Sequence, residues 1–213
     1  MTTVRLENVT KTIKGSTVIR ETSLSLTPGR CYGLKGVNGS GKTMLMRLIA
    51  GLIRPSSGAV YIDERRLGKE LDFPPSIGLL IENPAFLDYL SGYENLVFLA
   101  GIRGTASAQR IRETIRRVGL DPEDRKSYGK YSLGMKQRLG IAAAIMEEPE
   151  LVLLDEPTNA LDSDGVELVV EIVSELKAQG TLVVVSCHDY EVLKLMADEI
   201  YSVREGEVFP GVR

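Results

Sequence analysis

The 213-residue chain has little that would tie it to a membrane, to a secreted compartment or, as a whole, to a polyanion. Its longest apolar runs, such as TLVVVS and LVLL, fall far short of the roughly 20 residues that a spanning helix needs, so the chain is not expected to cross a bilayer by itself. The opening MTTVRLENVT has no apolar h-region and reads directly as a strand, so no secretory leader is expected. Cysteine is scarce: Cys31 and Cys187 both fall in strand-like apolar stretches, where reduced, buried thiols of a cytoplasmic protein fit better than a disulfide. Neither sign of charge dominates. With 26 Lys+Arg against 29 Asp+Glu the net charge is −3, which leaves no global footprint for nucleic acid or an anionic lipid surface. No nucleic-acid partner is expected, and any polyanion must be met locally. Repeats, low-complexity tracts and long linkers are also missing, so 213 residues read as one α/β domain large enough to bury a full sheet.

The pattern along the chain begins with short strands, TVRLENV, STVIR and TSLSL, before the turn TPGR; an antiparallel sheet is expected there. CYGLKG reads as a buried strand running into glycines, and KTMLMRLIAGL as a helix that Gly51 ends. GAVYID and SIGLLIE read as further strands. From Asn83 to Lys130 the pattern becomes helical, with Ile111, Ile115 and Val118 on one face, and this is taken as a helical insert of approximately 83–135 in a core of 1–82 and 136–213. The remainder alternates: strand LVLL, a helix from Asp162 to Gln179, strand TLVVVS, a helix after His188, and a closing strand pair around EIYSVREGEV. Alternation of this kind predicts a mainly parallel sheet flanked by helices.

Two contiguous motifs carry chemistry. GVNGSGKT, comprising Gly36, Val37, Asn38, Gly39, Ser40, Gly41, Lys42 and Thr43, fits a phosphate-binding loop between strand and helix. Its glycines let backbone N–H groups turn inward on an anion, the helix N-terminus adds its positive end, Lys42 reaches the β/γ-phosphates, and Thr43 can ligate Mg²⁺. The expected ligand is a nucleoside triphosphate. LVLLDEP then puts two carboxylates at the end of a buried strand. In a parallel sheet that end faces the ligand crevice, so Asp155 can serve Mg²⁺ while Glu156 accepts a proton from water. On its own, an acidic pair at a strand end is more often a cap or a loop; the phosphate loop is what favours the catalytic reading. His188, the single histidine, follows another apolar strand, and its place at the crevice depends on the fold.

GVNGSGKT, YSLGMKQR, LVLLDEPTNALD and SCHD, in this order, resemble the ATP-binding subunit of ABC transporters over essentially the whole chain. The resemblance implies a P-loop ATPase core with a mixed, mainly parallel sheet, an antiparallel β part at the N-terminus and a helical insert. It implies ATP and Mg²⁺ as ligands and ATP hydrolysis coupled to transport. It makes Lys42, Glu156 and His188 the catalytic set, Ser132 and Gly134 the signature residues that bind the γ-phosphate held by a second subunit, and Asn159, Leu161 and Asp162 the loop touching the partner site. The implied partners are a second copy or a paralogous ATPase subunit and a separate transmembrane permease, which would hold the chain at the inner face of the cell membrane.

Three positions depart from the family pattern. The octet keeps one glycine, Gly134, with Gln at 137; Glu82 stands where glutamine is usual, a candidate contact to Mg²⁺; and Ile13 stands where an aromatic usually stacks on adenine. ENP with SLGMKQR is similar to the bacitracin-resistance and lantibiotic-immunity exporters, which points to export. The rival readings are a soluble switch acting on ribosomes or DNA, whose relatives carry two such domains or long insertions, and a P-loop kinase, which has no use for the octet or the strand-end histidine. Arg103, Arg110, Arg112, Arg116 and Arg117 make the insert locally basic, either a solvated helix face or a docking surface.

Overall fold

The computed structural model describes residues 1–82 and 84–211. In chain order the strands are β1 (Val4–Ile13), β2 (Ser16–Leu26), β3 (Cys31–Lys35), β4 (Ser57–Ile62), β5 (Arg65–Arg66), β6 (Ile77–Leu80), β7 (Leu151–Asp155), β8 (Leu182–Ser186), β9 (Glu199–Arg204) and β10 (Glu207–Pro210). The helices are α1 (Lys42–Ile49), α2 (Gly92–Arg103), α3 (Ala108–Arg117), α4 (Leu133–Ile145), α5 (Ser163–Ala178) and α6 (Tyr190–Met196), with a 3₁₀ turn at Tyr128–Lys130. They build an antiparallel sheet of order β2-β1-β4-β5 and a six-stranded sheet of order β10-β9-β3-β8-β7-β6. The second is parallel except for the β9–β10 hairpin at its edge.

Alternation along the buried strands explains the layers. Val152, Leu154, Val183 and Val185 face one core with α3, α4 and α5, whereas Leu151, Leu153, Leu182 and Val184 face the other with α1 and the antiparallel sheet. The sheet is therefore covered on both faces. α5 runs as its apolar spacing predicts: Asp162 caps it by accepting from the Gly165 N–H at 3.0 Å, Val169, Val173 and Leu176 are buried, and Gly180 follows at φ +88°. Ile111, Ile115 and Val118 are likewise buried on one side of α3.

Two sequence expectations are corrected. STVIR and TSLSL form one strand, β2, not two, because the slip in its apolar phase between Ile19 and Thr22 is absorbed by irregular register with β1. The helical pattern expected from Asn83 starts only at Gly92; Asn83 itself lies outside the described residues. Residues 84–90 form a loop that the buried Asn95 side chain holds, accepting from the Leu87 N–H at 2.8 Å and donating to the Leu87 and Ser91 carbonyls. Ser91 and Glu94 then start α2 with a reciprocal capping box, and Gly104, at φ +69°, ends it. The arginines of this region are largely neutralised. Arg103 pairs with Glu147, Arg110 with Glu148, Arg112 with Glu123 and Arg117 with Glu175.

Candidate functional site

The register of the parallel strands assembles one end of the sheet. Asp155 on β7 lies opposite Ser186 on β8, and Ser186 lies opposite Leu34 on β3, so the loop from Gly36, the two carboxylates and the segment around His188 leave the sheet side by side. This is the carboxyl end of the strands, where open α/β sheets place their ligands.

The loop is shaped by glycines that cannot be replaced. A Cβ on Gly36 would stand 2.3 Å from the Val203 carbonyl oxygen and 2.5 Å from Ser40 Oγ. Gly39 and Gly41 take φ of +78° and +116°, a region that side-chain-bearing residues rarely adopt. Gly41 is also the N-cap of α1, so the loop delivers its backbone donors at a helix N-terminus. Ser40 Oγ is buried without a hydrogen-bond partner, which suits an acceptor absent from the chain itself. Together with Val18 and Arg20 of β2, the loop borders a cavity of about 530 Å³ whose other wall holds Asp155 and Glu156.

Lys42 is buried and points back along its loop, donating to the Gly36 carbonyl at 2.7 Å and the Val37 carbonyl at 3.3 Å, with Glu156 Oε1 3.6 Å away. Thr43 Oγ1 donates to Asp155 Oδ2 at 2.6 Å. The Ser186 hydroxyl holds the other oxygen, Asp155 Oδ1. Glu156 has a left-handed backbone, φ +50°, fixed by its N–H donating to Ser186 Oγ at 3.0 Å and by Gln137 Nε2 donating to its carbonyl at 3.0 Å. His188 caps the carboxylate: its backbone N–H lies 3.1 Å and its Nδ1 2.9 Å from Glu156 Oε2, with the ring exposed to solvent. Beside it the Cys187 thiol is fully buried and hydrogen-bonded with Thr158; burial pushes its pKa up, and burial pushes that of Cys31 to about 12, so both stay protonated, inert thiols.

The octet YSLGMKQR opens α4. Tyr131 is buried, its hydroxyl accepting from the Gly92 N–H at 3.2 Å, so the start of α4 is pinned to the start of α2. Ser132 is the N-cap, accepting from the Met135 N–H at 3.2 Å, and the orientation leaves its own proton free to be donated outward. Gly134 backs onto the loop after Glu156: a Cβ there would stand 3.0 Å from the Ala160 carbonyl oxygen. Arg138 closes the same contact through Asp162 at 3.2 Å. Leu161 and Asp162 thus lie against the first two turns of α4 in their own chain, while the Asn159 N–H donates to the Glu156 carbonyl at 3.2 Å.

Two of the positions that depart from the family pattern do not border the cavity. Glu82, also at positive φ, is ion-paired with Arg47 of α1, and its side chain is 63 % exposed. Ile13 ends β1 in a pair with Ser16 and is half-exposed; Val18 and Arg20, further along the hairpin, border the cavity instead. The Glu82 carboxylate is engaged by Arg47 and does not border the cavity. Glu82→Gln is therefore expected to leave the Mg²⁺ dependence of ATP hydrolysis unchanged in a cation titration; a shifted midpoint would return Glu82 to the site.

Residues 19–159 match the ABC transporter family. The chain belongs to that family. This ABC ATP-binding subunit is 42% identical over 205 residues to the uncharacterized ABC transporter ATP-binding protein YybJ of Bacillus subtilis (strain 168), covering 96% of this chain and 94% of that one. It is 41% identical over 207 residues to the bacitracin transport ATP-binding protein BcrA of Enterococcus faecalis, covering 96% and 67%. Its fold is similar to the bacterial ABC cassette MJ0796, solved as a dimer in a post-hydrolysis state with ADP and Pi, with a TM-score of 0.85 at 29% identity and 96% of each chain covered. The ABC subunit is an ATPase, and its cassette architecture is the one the motifs imply. Three residues around its site are given no role by the sequence alone: Gln137, Arg138 and Ser186. Ser186 had a signal, a hydroxyl ending the otherwise apolar strand LVVVS.

Proposed function

We propose that the subunit binds MgATP between the Gly36–Thr43 loop and the Asp155–Glu156 pair, closes over it with a second subunit, and passes the cycle to a separate permease. The observation that carries this reading is the joint placement of Lys42, Thr43, Asp155 and Glu156 around one cavity. Lys42, now satisfied by its own loop carbonyls, exchanges them for the β/γ-phosphates. Thr43 Oγ1 and Asp155 Oδ2 are hard oxygens 2.6 Å apart, a donor set that fits Mg²⁺, which takes few protein ligands beside the phosphates. When bound, Mg²⁺ neutralises charge on the phosphate oxygens. Glu156 accepts the proton of the attacking water, and His188 holds that carboxylate in place until it meets the γ-phosphate. Val18 and Arg20 flank the base where Ile13 offers no ring.

The second subunit supplies Ser132 and the free N–H groups at the start of α4, a site that suits an anion. Asn159, Leu161 and Asp162 then lie between the two sites. No described helix is long and apolar enough to cross a membrane, and the spanning part of the transporter is assigned to the permease that the family implies. The helical subdomain, bounded approximately by 83 and 135 with Asn83 outside the described residues, supplies the surface for docking: Phe98 and Ile102, four residues apart on α2, are 64 % and 72 % exposed. The placement is the inner face of the cell membrane, and the similarity to a bacitracin transport ATPase favours export.

Lys42→Ala is expected to weaken equilibrium binding of labelled ATP by roughly tenfold or more, since a charge-assisted phosphate contact is lost. Unchanged affinity would remove the loop from the ATP site.

A further inference from the structure

We infer that Ser186 is a positioning residue for this ATPase, one hydroxyl that orients both the cation-side carboxylate and the water-side glutamate. Ser186 is fully buried at the end of β8, and its Oγ lies against Asp155 Oδ1 and 3.0 Å from the Glu156 N–H. The proton assignment follows from chemistry. A backbone N–H can only donate, so Ser186 Oγ accepts from Glu156, and its single proton goes to Asp155 Oδ1. Asp155 Oδ2 in turn accepts from Thr43 Oγ1. The Thr43 proton is therefore committed to Asp155, and the lone pairs of Thr43 are what it presents to the cavity.

The chain Ser186–Asp155–Thr43 thus has one polarity, set at its buried end. Without the Ser186 hydroxyl, Asp155 Oδ1 is a buried carboxylate oxygen that has lost its donor, and the carboxylate is free to turn. The Glu156 N–H keeps a second acceptor, the Ser186 carbonyl at 3.2 Å, so the backbone there survives the loss. The larger effect falls on the cation side. Groups that hold a metal-binding carboxylate in orientation typically matter by roughly 10–100-fold in metal affinity.

The inference rests on the assignment of Thr43 and Asp155 to the cation, and one assay separates the two. Binding of Mn²⁺ in the presence of ATP is followed by the EPR signal of free Mn²⁺ for the wild type, Ser186→Ala, Ser186→Cys, Ser186→Thr and Asp155→Asn. ATP affinity without divalent cation is measured on each preparation. Ser186→Ala and Ser186→Cys, the second filling the same space with a weak donor, are expected to weaken Mn²⁺ binding roughly tenfold or more with cation-free ATP affinity unchanged. Ser186→Thr, which keeps the hydroxyl, is expected to restore it. Wild-type Mn²⁺ affinity in Ser186→Ala or Ser186→Cys, beside a loss in Asp155→Asn, overturns the role of Ser186. Wild-type affinity in Asp155→Asn overturns the cation assignment itself.

Discussion

Glu156→Gln is expected to bind ATP at least as well as the wild type and to lose turnover by roughly 10²–10⁴-fold. The amide keeps the size and the acceptor oxygen that His188 reaches at 2.9 Å, so the site keeps its shape. It cannot take a proton from water. Removing the carboxylate 3.6 Å from Lys42 also frees the ammonium for phosphate, which is why binding does not weaken. ATP that is bound and not hydrolysed should hold two subunits together, so a sizing column run with ATP should show the dimer accumulating for this variant. Wild-type turnover in Glu156→Gln would move the general base elsewhere.

The second large effect is expected at Ser132. Aspartate caps a helix as well as serine does, and its charge suits a helix N-terminus, so Ser132→Asp should fold and melt like the wild type. In the proposed closed dimer, the same carboxylate would face the partner's γ-phosphate. Two like charges about 4 Å apart in an effective dielectric near 20 repel by about 4 kcal/mol, on the order of a thousandfold in closure. ATP binding to the separate subunit should survive, because its own loop and Lys42 are untouched. Ser132→Ala, which loses a cap worth about 1 kcal/mol and one hydroxyl donor, should do far less to turnover. Near wild-type turnover in Ser132→Asp, with any loss confined to the alanine variant, would mean that Ser132 acts through helix stability alone.

The parts of this site that could be read from sequence are those built from neighbours in the chain. Gly36 to Thr43 and Asp155–Glu156 are contiguous, and their residue types at that spacing already constrain backbone conformation and charge. The helix from Asp162 was legible for the same reason, its cap and its apolar face being periodic and local. What escaped depended on register or on distant partners. Ser186 matters because β8 aligns with β7 so that it meets Asp155, a relation no local pattern encodes. Glu82 is a candidate cation contact only through the family resemblance, and Arg47, thirty-five residues away, pairs with it. Gly134 was expected to clear space for a partner; within the chain it also clears space for the Ala160 carbonyl. The strand β2 was split because alternation slipped, and only pairing with β1 shows that the strand continues.

The contact between Gly134, Ala160 and the Arg138–Asp162 pair links the octet to the loop after Glu156 in one subunit; in the proposed symmetric dimer each chain contributes to two sites, Glu156 to one and Ser132 to the other. The claim that a working site needs two subunits can be measured by mixing Glu156→Gln with Ser132→Asp before ATP is added, each variant being nearly inactive alone. In a mixed dimer one site has an intact Glu156 from one chain and an intact Ser132 from the other. ATP hydrolysis by an equal mixture is predicted to recover to about a quarter of the wild-type rate, half of the dimers being mixed with one good site in two. A mixture as inactive as its two components, with both variants folded and binding ATP, would contradict a site shared between subunits.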